Sequence, residues 1–296
     1  MREDGTGDGE HVVDITVPSV ARMYDHYLGG KDNYAVDREA VAALDEKVPR
    51  TGALARNNRR FLQRVVRILA EDYGIRQFLD HGSGLPTQDN VHQVAQRTDP
   101  RARVVYVDND PIVLAHGRAL LEENVNTAVI QADMRDTETI FDSSEVRGLL
   151  DLSQPVALLF ISVMHCIPDA SDPAAVVRRA LEHVPSGSFV VLNQLVSHDK
   201  ETRDFVTDFM NRSTHGNWGR VREPHDVEPY FAGLELLEPG LVEINNWRPD
   251  SDLCARQLED ETWFEFGGVA RKPWPGPRRE SRAAARRSVC AGPRAV

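Results

Sequence analysis

Five short β-rich runs separated by helical stretches constrain the fold of this chain more than any other feature. The runs are residues 77–79, 103–107, 127–131, 156–163 and 188–196. Helix-like stretches at 88–97, 111–122 and 172–184 separate most of them. Strands that alternate with helices predict a doubly wound parallel sheet. The fourth and fifth runs are apolar on both alternating faces, which is typical of central strands covered by helices on each side.

A further helix and two weaker strand candidates follow the fifth run. The helix is predicted at 201–211, and the strand candidates lie near 234–237 and 262–269. These late strands would extend one edge of the sheet. The sequence therefore predicts a Rossmann-like α/β fold with a mostly parallel, seven-stranded sheet.

The region before the first run has a helical period. Phe61, Leu62, Val65, Val66 and Leu69 form an amphipathic face. We expect residues 18–75 to form a helical cap or lid and residues 76–273 to form the α/β core. Residues 1–17, rich in glycine and acids, and residues 274–296, rich in arginine and proline, are expected to be disordered flanks.

Charge and cysteine usage exclude several function classes. The net charge is -11 although the C-terminal tail is basic, so the body repels phosphate backbones and nucleic acid is not expected as a partner. The longest largely apolar run, 156–164, which is interrupted by Ser162, is too short to cross a bilayer, and the N-terminus is acidic without an apolar segment. Cys166, Cys254 and Cys290 are odd in number and far apart, which indicates neither a disulfide framework nor a metal site. We expect a cytoplasmic protein; its oligomeric state is left open.

The turn after the first run carries the first ligand signal. In an open α/β sheet, ligands bind beyond the carboxyl ends of the strands. Here Asp80 precedes Gly82 and Gly84, and glycines let the backbone approach a ligand closely. Thr87 is expected to cap the next helix. A Gly-x-Gly turn also occurs without a ligand, so this signal needs support.

The turns after the second and third runs supply that support. Asp108 lies at the tip of the second run, 24 residues beyond Gly84, where a ribose-binding acid belongs in such a fold. Asp110 precedes a proline and is explained as a helix cap. After the third run, Asp133 could accept a hydrogen bond from an adenine amino group while the Met134 backbone meets the ring edge. A charged surface turn is the alternative.

A dinucleotide site is the main rival. Its fingerprint is G-x-G-x-x-G, and the third glycine position is Thr87 here. Asp80 would also be poorly placed beside a pyrophosphate, whereas it suits an ammonium group. S-adenosylmethionine carries an ammonium, a ribose and an adenine, so it is the preferred cofactor. An NAD-dependent oxidoreductase stays as an alternative.

Four stretches, 18–33, 77–92, 104–116 and 264–273, carry a resemblance. Through them, the chain from 18 to 273 resembles the actinobacterial S-adenosyl methyltransferase family, a class I group whose methyl acceptor is not generally established. The resemblance implies S-adenosylmethionine as the cofactor. This sequence departs from the pattern of the family at His81, where an apolar residue is expected, and at Asp89, where glycine is expected. The implied contacts are Asp80, Gly82 and Gly84 at the methionine end, Asp108 on the ribose, Asn109 beside the adenine, and Asp133 with Met134 at the adenine edge.

The polar and aromatic segment 24–34 is interpreted as a lid. Tyr24 or Tyr27 would lie near the sulfonium, which an aromatic face attracts. Gly30, within a Gly-Gly turn, and Lys31 would meet the methionine end, with Lys31 on the carboxylate. The alternative is a packing helix with a solvated Lys31.

Candidate catalytic residues follow the fourth and fifth runs. A base is needed only if the acceptor carries a proton, and His165 and His198 are the candidates. A buried histidine that only satisfies a backbone group is the alternative. Ser162, at the end of the fourth run, is a further cofactor candidate. We therefore expect a methyltransferase that acts on an unidentified small-molecule acceptor, with a non-catalytic S-adenosylmethionine sensor or scaffold as the alternative.

Overall fold

The computed structural model describes residues 14–87, 89–120, 124–216, 218–251 and 262–275. The predicted flanks fall largely outside these ranges. The helices are α1 (Val20–Tyr27), α2 (Ala35–Asp45), α3 (Thr51–Glu71), α4 (Val91–Thr98), α5 (Pro111–Leu120), α6 (Thr137–Asp142), α7 (Ser144–Leu149), α8 (Pro173–Glu182) and α9 (Lys200–Ser213). The strands are β1 (Gln77–His81), β2 (Arg103–Asp108), β3 (Thr127–Gln131), β4 (Ala157–Ile161), β5 (Phe189–Val196), β6 (Glu235–Leu236), β7 (Val242–Glu243) and β8 (Phe264–Arg271).

The strands form one sheet in the order β3-β2-β1-β4-β5-β8-β6. The first five strands are parallel, and β8 runs antiparallel to β5. At the outer position, β6 pairs with one end of β8 and β7 with its middle. Within the described residues, the sheet is thus seven strands wide, with two short strands sharing the last position. This confirms the predicted doubly wound, mostly parallel sheet. Of the strands described, β7 alone was not predicted, because two residues carry no periodicity.

Apolar side chains cover both faces of the sheet. In β1, Phe78 packs with α3 and α4 on one face, whereas Leu79 packs with α6, α7 and α8 on the other. Both side chains are fully buried. Central strands that bury both faces explain the continuous apolar runs in the sequence.

The three N-terminal helices take two different positions. The predicted apolar face of α3 packs on the sheet, with Phe61, Val65 and Leu69 buried. α1 and α2 instead pack with α9 in a separate cluster that includes Leu54 at the start of α3 and reaches Leu195 near the end of β5. Within the expected 18–75 cap, α1 and α2 therefore lie over the carboxyl edge of the sheet, and α3 belongs to the layer on its face.

The helix after β1 begins later than predicted. α4 starts at Val91, and Asn90 precedes it with its N–H donating to Gln93 Oε1 at 2.9 Å. Thr87 is not the cap; its own N–H donates to Asn90 Oδ1 at 3.0 Å. Asn90 and Gln93 form a capping box, which takes over the role predicted for Thr87. The loop from β1 to α4 is consequently long.

No described helix combines the length and the apolar composition that a bilayer span requires.

Candidate active site

A cavity of about 490 Å³ lies at the carboxyl ends of β1 to β4. The strand order reverses between β1 and β4, which is where ligands bind in open α/β sheets. The volume falls in the usual range for small-molecule sites, roughly 300–1,000 Å³. Nine of the predicted cofactor residues line this cavity: Tyr24, Asp80, Gly82, Gly84, Asp108, Asn109, Asp133, Met134 and Ser162.

The glycine turn after β1 is shaped by left-handed backbone. Gly82 has φ 71° and Gly84 has φ 65°. A Cβ on Gly82 would lie 2.5 Å from Val163, whereas one on Gly84 would meet nothing within 4 Å, so space for a ligand remains there. Between them, the Ser83 hydroxyl is buried without a hydrogen-bond partner among the described residues. An open backbone with an unpaired polar group fits a polar ligand.

Asp108 holds the glycine turn in place. Its two carboxylate oxygens accept the N–H of Gly84 at 2.8 Å and the N–H of Asp110 at 2.9 Å. Burial raises the pKa of Asp108 to about 6 although both bonds oppose the shift. Each oxygen keeps a further lone pair, so a fixed carboxylate is available for two hydroxyl groups.

Asp80 and Arg59 place opposite charges at one end of the cavity. Burial raises the pKa of the Asp80 carboxyl to about 7, and the positive charge of Arg59 opposes that shift. Arg59 lies on α3 and donates to Asn90 Oδ1 at 2.9 Å. This pair suits the ammonium and the carboxylate of an amino-acid group. The sequence analysis missed Arg59.

Asp133 is already engaged at the opposite end. Arg135 Nε donates to its carboxylate at 2.9 Å and lowers the pKa of Asp133. Both side chains line the cavity. Asp133 therefore has only part of its hydrogen-bonding capacity left for an adenine amino group.

A segment that we call the strap, residues 14–22, closes one side of the cavity. Asp37 on α2 accepts the Ser19 N–H at 3.0 Å and Arg22 Nε at 2.9 Å, and the Arg22–Asp37 pair is buried. The Ser19 hydroxyl donates to Asp110 at 2.7 Å. Asp110 also accepts the Ile112 N–H at 2.9 Å, as a helix cap does. The strap is thus tied to α2 and to the turn after β2.

The predicted lid residues separate into two groups. The Tyr24 hydroxyl donates to the Ala55 carbonyl at 3.0 Å, and burial raises the pKa of Tyr24 to about 12. Tyr27 lines a neighbouring cavity instead of the first one. Gly30 and Lys31 line neither cavity and are exposed, because the turn after α1 leads them into solvent. Lys31 is therefore not placed at the cavity in this structure, whereas the guanidinium-bearing Arg59 lines the cavity together with Asp80.

The neighbouring cavity measures about 80 Å³ and adjoins the first. Val20, Tyr24, Ser162 and Trp218 line both cavities. Ser162 has φ 56°, which is unusual for a residue with a side chain and is often found at functional sites. Its hydroxyl donates to the carboxylate of Glu265.

The structure separates the two predicted candidates for a base, His165 and His198, from a third candidate, Glu265. His165 lines the smaller cavity, but its Nδ1 accepts the Leu195 N–H at 3.2 Å and burial lowers the pKa of the ring to about 3, so it is a poor base. His198 is exposed and lines neither cavity. Glu265 on β8 is buried in the smaller cavity and also accepts Asn193 Nδ2 at 2.8 Å. Burial raises the pKa of Glu265 to about 7.

The two departures from the expected motif have structural explanations. His81 is buried and stacks on Phe160 at 4.2 Å, and burial lowers its pKa to about 4. It therefore replaces an apolar residue as a neutral ring. Asp89 adopts φ 57°, a conformation that glycine tolerates best, and its carboxylate pairs with Arg97.

Comparisons with known proteins agree with this architecture. Residues 7–273 match the model of a family described as S-adenosyl methyltransferase. A candidate methyltransferase from Thermobifida fusca is 39% identical, with a TM-score of 0.82 over 88% of this chain and 97% of that one. A DUF574 family protein from Streptomyces avermitilis is 40% identical, with a TM-score of 0.78 over 88% of this chain and 99% of that one. None of the curated proteins compared with the chain matches it.

Proposed function

Because this chain belongs to the S-adenosyl methyltransferase family, we propose that it transfers a methyl group to a small-molecule acceptor. The cofactor of the family is S-adenosylmethionine. One observation carries the proposal: Asp108 holds the Gly84 turn at the switch point, beside the carboxyl group of Asp80 and the guanidinium of Arg59.

The residues of the larger cavity fit the parts of this cofactor. Asp108 would hold the ribose hydroxyls, and Asp80 and Arg59 would hold the ammonium and the carboxylate. Gly82 and Gly84 would let the backbone pass close to the methionine end. Asn109, Met134 and the remaining capacity of Asp133 would bound the adenine.

The protein contributes by aligning the acceptor with the methyl group and by excluding water from the cavity. When bound, S-adenosylmethionine supplies a methyl group on a positively charged sulfur that is an activated leaving group. Holding the acceptor in line with that group supplies much of the rate enhancement. The strap and α1 close the cavity and would keep water out.

The acidic body and the small cavity beside the main one support a neutral or cationic small molecule as acceptor. Nucleic acid does not suit this charge. Cys166, the one cysteine among the described residues, is a free thiol, which is consistent with the cytoplasm as the compartment.

Transfer of labelled methyl groups tests this function. Purified protein and S-adenosylmethionine labelled in the methyl group are incubated with a library of small amines, alcohols and phenols, and label in each acceptor is counted. We expect turnover with some members, lost in Asp108→Ala. If the cofactor binds but no member of a broad library receives label, the non-catalytic sensor or scaffold is the better hypothesis.

A further inference from the structure

We propose that the smaller cavity receives the methyl acceptor and that Glu265 contacts its nucleophilic atom. This inference rests on the methyl transfer proposed above. The cavity lies between α1, α3, α9 and the start of β8. It opens beside the cofactor cavity, with which it shares Tyr24 and Ser162. An acceptor seated there would reach the cofactor without crossing solvent.

The walls of this cavity select an apolar molecule. Most lining side chains are aliphatic, aromatic or thioether groups, among them Met23, Leu44, Leu54, Val206, Met210 and Trp263. The volume of about 80 Å³ is small, since an engineered cavity of about 150 Å³ holds benzene. A slim aliphatic arm therefore fits better than a fused ring system.

The polar groups of the cavity select the reactive end of that arm. Of the described residues that line it, Glu265 is the one carboxylate, and neither lysine nor arginine is among them. A buried carboxylate favours a ligand group that donates a hydrogen bond. The indole N–H groups of Trp218 and Trp263 are buried without a partner among the described residues and could donate to the same ligand. These groups together favour a hydroxyl or an amine.

Glu265 is positioned where the two cavities meet. Its carboxylate accepts the hydroxyl of Ser162, a residue that lines both cavities, and the side-chain amide of Asn193. Burial raises the pKa of Glu265 to about 7, Glu243 adds to the shift, and the two hydrogen bonds oppose it. Near neutral pH this carboxyl can therefore both bind and release a proton.

The proposed methyl transfer conserves atoms and charge. The acceptor oxygen or nitrogen forms a bond to the methyl carbon while the carbon–sulfur bond breaks, and the electron pair of that bond returns to sulfur. The acceptor proton passes to the Glu265 carboxylate. One positive charge on sulfur and one negative charge on the carboxylate are thereby neutralised, and no oxidant or further reactant is needed.

Three four-carbon probes test the cavity directly: n-butylamine, 1-butanol and butanoate. Saturation-transfer NMR with the full chain in the absence of cofactor measures their affinities. We expect n-butylamine and 1-butanol to bind at least fivefold more tightly than butanoate, because butanoate repels Glu265. Equal binding of all three probes would overturn the assignment.

Variants identify the residue responsible for the preference among the three probes. Glu265→Gln should remove the preference for n-butylamine over butanoate, whereas the matched control Glu243→Gln should keep it, because Glu243 does not line the cavity. Val206→Phe should fill the cavity and abolish binding of all probes, which tests the site even if Glu265→Gln does not fold. A preference that survives Glu265→Gln, or probes that still bind Val206→Phe, would overturn the proposal.

Calorimetry with S-adenosylmethionine separates this inference from the function on which it rests. We expect Glu265→Gln and Val206→Phe to bind the cofactor as tightly as the unaltered protein. If the unaltered protein fails to bind the cofactor, the proposed function fails, and the probe measurements still report on the cavity.

Discussion

At the scale of single residues, three carboxyl groups that line the two cavities share one electrostatic property. Burial raises the pKa values of Asp80, Asp108 and Glu265 to between about 6 and about 7. Carboxyl groups in such surroundings bind cationic or hydrogen-bond-donating ligands. Asp80 and Asp108 lie beside the proposed cofactor position, and Glu265 lies beside the proposed acceptor position.

Removing the Asp108 carboxylate should weaken cofactor binding. Asp108→Ala is expected to cost about 1 to 3 kcal/mol of binding free energy, because ribose hydroxyls would be buried without an acceptor. Calorimetry with S-adenosylmethionine measures this loss.

A matched aspartate controls for general damage. Asp136 caps α6 by accepting the Thr139 N–H and lies outside both cavities. Asp136→Ala should lower the unfolding free energy by about 1 kcal/mol and leave cofactor affinity unchanged. Equal losses of affinity in the two variants would refute the ribose assignment.

The raised pKa of Asp80 makes stability depend on pH. Its ordinary pKa is 3.8 and its folded pKa is about 7, so between these values the unfolded chain releases the proton more readily. Ionisation therefore favours unfolding, and the stability that the protonated form provides is lost as the pH rises from about 4 to about 7.

Urea unfolding at pH 5 and pH 7 measures this dependence. We expect the cofactor-free protein to lose more stability across this interval than Asp80→Asn, by about 1 to 2 kcal/mol, since one group contributes at most about 1.4 kcal/mol per pH unit. A variant with the same pH dependence as the unaltered protein would show that Asp80 has an ordinary pKa.

At the level of helices and strands, the elements that could be predicted from the sequence were those with a clear hydrophobic pattern. The parallel strands were predicted because buried strands have continuous apolar runs, and Asp108 was predicted because it ends such a strand. Arg59 and Glu265 were missed because a polar residue within a helix or strand is usually solvent-facing. Only the packing of α3 and β8 brings these two residues to the cavities. The short helices α6 and α7 were missed because six residues carry little periodicity.

One buried acceptor ties the strap to α2. Asp37 receives Arg22 Nε and the N–H groups of Ser19 and Tyr34. Asp37→Ala would leave the Arg22 charge buried without its partner, which typically costs about 3 to 5 kcal/mol. We expect urea unfolding to show this loss and calorimetry to show weaker cofactor binding, because the strap lines the cavity.

An exposed ion pair provides the comparison. Lys200 and Asp204 pair across one turn of α9, with both side chains largely exposed. Asp204→Ala should cost less than about 1 kcal/mol and leave binding unchanged. If Asp37→Ala were as mild as Asp204→Ala, the strap would be held by other contacts.

At the scale of the whole molecule, the fold separates scaffold from site. Two apolar clusters fix the sheet and its covering helices, and a third joins α1, α2 and α9 over the carboxyl edge. The larger cavity lies between the sheet and this third cluster, so one wall comes from the sheet and the other from helices outside the sheet layers.

We propose that the larger cavity binds S-adenosylmethionine, and titration calorimetry of the full chain with S-adenosylmethionine and with NAD measures this binding. A dinucleotide would place its pyrophosphate at the start of a helix close to the glycine turn. Here α4 begins only at Val91, and Asp80 lies beside that turn. We expect saturable binding of S-adenosylmethionine at one site and no measurable binding of NAD. Tighter binding of NAD than of S-adenosylmethionine would show that the larger cavity is a dinucleotide site.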